Sequence, residues 1–253
     1  MKVVLLGTGT SQGVPVLGCN CEVCKSSDPR DHRFRTSALI ETESTRVLID
    51  CGPDFREQML LQPFRKIDAV LLTHIHYDHV GGIDDLRPFC KFGDIYTDSN
   101  VIHGLKHNMP YCFPTNGDLY PGVPRLILHE IRPHERFSVG DIDIVPITVM
   151  HDTLPVLGFR MGKLAYITDM KRIEETELSY LAGIEVLVVN GLRWKREHHS
   201  HQLIDDAIAF SNVLGVKRVY LIHMTHEIGL HNEAGRLLPH GVEFGYDGET
   251  ITV

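Results

Sequence analysis

Short apolar runs of strand length recur along the chain, most of them closed by Gly, Pro or Asp: "KVVLLG", "TSALIET", "TRVLIDCG", "AVLLTH", "RLILHEI", "IDIVPITVMH", "LGFRM", "KLAYITD", "VLVVNG" and "RVYLIHM". β-Branched residues and Leu crowd these runs and turn formers bound them, so each reads as a β-strand. Between them, helical spacing of apolar positions predicts helices over "DFREQMLLQPF", the stretch from Gly82 to Lys91, "EETELSYLAG" and "QLIDDAIAFSNVLG". The last ends at Gly215, where a helix C-terminal glycine belongs. An early and a late block of mostly strands, each with its own helices, predicts an α+β fold of two sheets packed face to face with helices outside.

Residues 93 to 125 interrupt this order, being rich in Pro, Gly, Asn and Tyr without a long periodic segment. They read as an insertion or lid, with an ordinary long connection as the alternative. No repeat, low-complexity tract or linker divides the sequence, so residues 1 to 253 are expected to form one domain.

Composition adds an ordinary soluble globular balance, 43% hydrophobic and 23% charged, with a net charge of -8. A mildly acidic surface makes no general case for nucleic acid or an anionic membrane as partner. The apolar run at the N-terminus is too short for a signal-peptide core, and no stretch approaches the roughly 18 apolar residues of a membrane span. A cytoplasmic location follows as the expectation. In that reducing compartment the 6 cysteines are not expected to form structural disulfides, so the clustering of Cys19, Cys21 and Cys24 needs another explanation.

The 16 histidines are the compositional outlier. In "VLLTHIHYDHVGG", His74 and His76 stand two apart at the mouth of a buried strand and project to one side if the extended geometry persists, so they can share a cation. Asp78 and His79 follow as the chain turns and can hold a second, while Gly81 and Gly82 let the backbone bend and approach closely. Imidazole with carboxylate suits Zn, Mn or Fe. Separately, "CNCEVC" brings three thiolates within six residues; with one further ligand they make a closed tetrahedral zinc centre, whose fourth member the spacing does not name.

"THIHYDH" resembles the T-H-x-H-x-D-H signature of the metallo-β-lactamase superfamily, whose members fold as a four-layer αββα sandwich and usually bind two metals. Within it, "GTGTSQGVPVLGCNCEVC", "LIDCGPDFREQ" and "GGIDDLRPF" are similar to the branch containing the phosphoribosyl cyclic phosphate phosphodiesterase of phosphonate degradation. The resemblance implies His74, His76 and His151 on one metal and Asp78, His79 and His223 on the other, with Asp169 bridging. It implies two catalytic divalent cations, Zn or Mn. Asp50 matches an aspartate that orients a ligand histidine, and Asp84, Asp85 and Arg87 are placed to brace the metal loop or, for the two aspartates, to open a helix.

For the thiolate site the resemblance implies a structural Zn on Cys19, Cys21, Cys24 and His226, with His231 the competitor for the fourth position. In "REHHSHQL", by the register of the following "LIDDAI", it gives His201 the general-acid role beside the catalytic Asp78 and Asp169, leaving His198 and His199 to solvent. His103 and His107, at helical spacing without a third ligand, read as a solvated face. The implied activity is metal-assisted hydrolysis of a small phosphodiester, a cyclic phosphate fitting the branch, by attack of a hydroxide held between the two metals. A thioester or lactone hydrolase, a tRNA-processing nuclease and a non-catalytic metal-binding module are the rivals. A homodimer is left open.

Overall fold

The computed structural model describes residues 1–89, 93–113 and 122–253. One seven-stranded sheet is built from β1 (Lys2–Gly7), β2 (Ser37–Glu41), β3 (Arg46–Ile49), β4 (Ala69–Leu71), β5 (Gly93–Thr97) and β6 (Leu126–Glu130), with β14 (Thr250–Thr252) closing its other edge beside β1. The second runs in reverse spatial order, from β13 (Val242–Phe244) through β12 (Arg218–Ile222), β11 (Val186–Asn190), β10 (Leu164–Ile167), β9 (Leu154–Met161) and β8 (Ile142–His151) to β7 (Phe137–Val139).

Alternation along each strand makes the layers. Val3, Leu5, Val47, Ile49 and Leu71 meet Phe159, Leu164, Tyr166 and Val188 between the sheets. The intervening Val4, Leu6, Leu48 and Val70 face outward, onto Phe55 and Met59 of α1 (Phe55–Leu60) and onto Val101 and Leu105 of α3 (Ser99–Asn108), which follows the short α2 (Tyr77–Val80). On the far side Ile167, Leu187, Val189 and Leu221 pack against Leu181, behind α4 (Glu175–Leu178), and against Ile204, Ala207 and Phe210 of α5 (Ile204–Leu214), with Ala234 of α6 (His231–Ala234) beside them. This is the expected αββα sandwich. Among the described residues no helix is long and apolar enough to cross a membrane.

Several elements differ from the sequence reading. The helix expected from Gly82 to Lys91 is a 3-10 turn over Ile83–Leu86, and residues 90 and 91 of it lie outside the described residues. "EETELSYLAG" gives one α turn followed by a 3-10 turn. The segment read as a lid begins with β5, paired in parallel between β4 and β6, and continues into α3, whose apolar face covers the first sheet. Residues 93 to 108 therefore belong to the sandwich, while 114–121 lie outside the described residues. β5 carries a weak strand signal because "GDIYT" is short and opens with two strand-poor residues, Gly93 and Asp94. Gly215 does end α5, in the left-handed conformation at φ 68°.

β3, β4, β5 and β6 run parallel, as do β10, β11, β12 and β13. The carboxyl ends of β3, β4, β10 and β12, and of β8, which parallels β10 through the antiparallel β9, gather at one rim. That is where parallel sheets present ligand-binding residues.

Candidate metal centre

Each central residue sits where a buried strand runs out. Asp50 follows β3, His74 and His76 follow β4, His151 ends β8, Asp169 follows β10 and His223 follows β12. Asp50, Asp169 and His223 adopt left-handed backbone conformations, with φ of 57°, 56° and 55°. A non-glycine residue there costs on the order of 1 kcal/mol or more. The sharp turn it makes ends each strand and aims the side chain into the rim.

Donor atoms of His74, His76 and His151 lie within 4.8 Å of one another, as do those of Asp78, His79 and His223. The Asp169 carboxylate stands between the two groups: Oδ1 is 3.3 Å from His79 Nε2, and Oδ2 is 3.3 Å from His223 Nε2 and 3.8 Å from His74 Nε2. His201 joins His151 and Asp169 in a further close group, its Nδ1 3.9 Å from Asp169 Oδ2. Its ring lies 4.6 Å from that of His151 and 4.7 Å from that of His223. Of the "HHSH" histidines it is the buried one, while His199 is exposed and His198 half-buried.

The electrostatics suit cations. Burial disfavours charge on Asp78 and Asp169, yet His79 and His223 beside them hold both carboxyls well below the usual range. Burial also opposes charge on His79, but Asp169, Asp50 and Asp78 surround it and hold it well above the ordinary imidazole value. His74 is pushed far down by burial and then by the charge of His79. Burial, then His223, brings His201 down to about 2. Among the described residues His79 Nε2, His201 Nδ1 and both ring nitrogens of His223 are buried without a hydrogen-bond partner, an arrangement that costs stability unless a cation or another partner satisfies them. Imidazoles and carboxylates with orphaned nitrogens are a donor set that fits divalent metal.

The surrounding contacts fix these rings. His79 Nδ1 donates to Asp50 Oδ2 at 2.6 Å, and Asp50 also accepts from the Thr73 amide at 2.8 Å. His151 Nδ1 is 3.0 Å from the carbonyl oxygens of both Asp169 and Ser200. Thr73 and Ser200 were not singled out in the sequence; Thr73 stood inside the motif as a strand-end residue, whereas a backbone carbonyl such as that of Ser200 leaves no sequence signal. Asp84 pairs with Arg87 and accepts from the Tyr111 hydroxyl, and Arg87 donates to the Gly122 carbonyl, so these two hold Tyr111 and Gly122. His103 and His107 are exposed on α3 and, among the described residues, enter no close group of ligand-type side chains.

Glycine lets the metal loop approach. A Cβ on Gly52 would sit 2.1 Å from the Asp78 carbonyl oxygen, and one on Gly82 would sit 2.0 Å from that of Gly52. Gly52→Ala should therefore displace Asp78, lowering metal uptake and costing about 1 to 3 kcal/mol or more of stability. Unchanged metal content and melting temperature would show that the loop yields freely.

At the second cluster, His226 Nδ1 is 3.5 Å from Cys19 Sγ and 3.2 Å from Cys21 Sγ, and Cys24 completes the group. Backbone amides of Val16 and Cys24 point at Cys24 and Cys21 sulfurs. A backbone hydrogen bond from Cys21 lowers the Cys19 thiol, and His226 lowers that of Cys21. Burial raises Cys24 to about 11. These three sulfurs and one nitrogen fit a tetrahedral site with Zn–S near 2.3 Å. The competitor His231 lies elsewhere, its Nδ1 3.1 Å from the buried Arg33 guanidinium.

A model of the β-lactamase superfamily domain matches residues 45–224. The chain belongs to the metallo-β-lactamase superfamily. Among solved structures it is similar to a new diphosphatase from the PhnP family, at 34% identity and TM-score 0.90 over 99% of this chain and 96% of that one. Among curated proteins it is 45% identical over 251 residues to an octanoyltransferase of Porphyromonas gingivalis, covering 98% of this chain. The chain spans about half of that relative's length, 51%. It is 29% identical over 220 residues to coenzyme PQQ synthesis protein B of Methylobacterium nodulans, covering 76% of this chain and 73% of the relative.

Proposed function

We propose that this metallo-β-lactamase superfamily chain is a metal-dependent hydrolase that cleaves a phosphodiester in a small substrate, a cyclic phosphate on a sugar or nucleotide being the preferred case. The observation that carries the reading is the Asp169 carboxylate set between the His74, His76, His151 group and the Asp78, His79, His223 group. Likeness to a PhnP-family diphosphatase supports phosphorus chemistry over acyl transfer. Zn or Mn would be held by these two groups, and a structural Zn by Cys19, Cys21, Cys24 and His226. When bound, the catalytic pair supplies Lewis acidity that acidifies water and neutralises phosphate oxygens.

The chain's own residues do the rest. Asp50, by holding His79 Nδ1, keeps Nε2 turned to the rim. His201, whose Nδ1 has no hydrogen-bond partner among the described residues, faces the same space and donates a proton to the departing alkoxide. An anionic phosphodiester beside it supplies the negative charge that favours its protonated form.

The test is a panel of cyclic and linear phosphodiesters, a diphosphate ester, an octanoyl thioester and a lactone, run with Zn, with Mn and without metal. Turnover should be greatest on a phosphodiester and vanish without metal. Faster cleavage of the octanoyl thioester would move the reading to acyl chemistry, which the name of the P. gingivalis relative keeps in view.

Metal content gives an independent check. Protein purified without chelator should carry about three metals per chain, Zn at the thiolates. No more than one after reconstitution would sink the two-metal reading. Cys21→Ser should lower thermal stability more than it changes the rate of the folded fraction, because a closed centre is structural; the reverse order would place the thiolates in the chemistry.

A further inference from the structure

Resting on the two-metal reading, we infer that Thr73 is a positioning residue through which the single carboxylate of Asp50 sets the ring orientation of His74 as well as that of His79, so that one aspartate governs both metal positions. Thr73 is fully buried, two residues past the end of β4. Its Oγ1 lies 2.9 Å from Asp50 Oδ2 and 3.1 Å from Oδ1 on one side, and 2.9 Å from His74 Nδ1 on the other.

A hydroxyl carries one proton. Asp50, already taking the His79 ring N–H at 2.6 Å and the Thr73 amide at 2.8 Å, acts as an acceptor, so the Thr73 proton points at Asp50. Its lone pairs then face His74, which must present Nδ1–H to them. That leaves Nε2 of His74 as the free lone pair, and Nε2 is the atom aimed at the rim: it lies 3.0 Å from His76 Nδ1 and 3.8 Å from Asp169 Oδ2.

His79 reaches the same outcome by direct contact, its Nδ1 held by Asp50 and its Nε2 facing Asp78 and Asp169, each at 3.3 Å. The two histidines lead the two donor groups, so the relay ties them to one origin. His151 is oriented independently, by the carbonyls of Asp169 and Ser200. Replacing Thr73 should thus affect the His74 group and spare the other.

The experiment is a zinc titration of chelator-treated protein, followed at the histidine ring nitrogens by 15N NMR and by competition for affinity. Wild type should show His74 protonated at Nδ1 before zinc is added, a readout independent of whether two cations bind. Thr73→Val, nearly the same shape without a hydroxyl, should leave His74 a mixture of ring forms and weaken one zinc roughly 10- to 100-fold, as loss of an outer-sphere partner does elsewhere. The second zinc should bind unchanged, and Thr73→Ser should restore the first.

His74 protonated at Nε2 in wild type would overturn the relay whatever the variants do. So would equal weakening of both zincs in Thr73→Val, or failure of Thr73→Ser to rescue. If Thr73→Val does not fold, Thr73→Ala carries the same comparison. A wild type with the expected ring form but without two separable zinc sites would instead defeat the two-metal reading and leave the ring assignment standing.

Discussion

Asp169→Asn should cost the chain most of its hydrolytic activity, a factor of about 1,000 or more, equivalent to roughly 4 kcal/mol of barrier. The carboxylate is 2% exposed and reaches toward His74, His79 and His223 at once, so among the described residues no other side chain contributes to both donor groups in the same way. An amide of the same shape removes the charge that the three imidazoles offset and can present only one oxygen. Metal analysis should fall from about three per chain toward one, the thiolate zinc remaining, because that centre shares no ligand with the rim. Loss of activity with all three metals retained would assign Asp169 to the chemistry of the substrate. Retention of activity would remove the bridging carboxylate from the reading altogether.

The rim was legible because its residues end apolar runs. "TRVLID", "AVLLTH", "IVPITVMH", "LAYITD" and "RVYLIH" each place a ligand-type residue at the point where the buried pattern stops, and the sheets bring those points together. Asp50 was also readable as a partner of a ligand histidine, and its 2.6 Å contact with His79 has that form. Harder to read were features that depend on tertiary placement. β5 buries alternate residues of a glycine-led segment, and α3 shows its apolar face only once β5 is in the sheet. The carbonyl of Ser200 and the hydroxyl of Thr73 act through a single atom each, which no periodicity reports. That His226 stands beside the thiolates while His231 lies against the buried Arg33 guanidinium depends on contacts between segments far apart in sequence.

His201→Ala should lose most activity on an alkyl or cyclic phosphodiester and keep much of it on a nitrophenyl phosphodiester. The reason lies in where charge develops: a sugar or alkyl alkoxide needs a proton as it leaves, whereas a nitrophenolate departs without one. General acid catalysis typically contributes a factor of about 100 to 10,000, or roughly 3 to 5 kcal/mol. The ring is well placed for the task, 8% exposed and packed between His151 and His223, with Nδ1 free of any hydrogen-bond partner among the described residues. The same closeness to His151 and Asp169 gives the rival account, in which His201 helps hold a cation. Metal content separates the two. It should be unchanged in His201→Ala if the residue delivers a proton, and it should drop, with both substrates slowed alike, if the residue is a ligand. His199→Ala, on an exposed ring, is the register control and should change little; a leaving-group-dependent loss there would transfer the acid role by two positions. His198 lies between these cases, its ring 5.0 Å from that of His201, so His198→Ala should alter the rate only modestly and equally on both substrates.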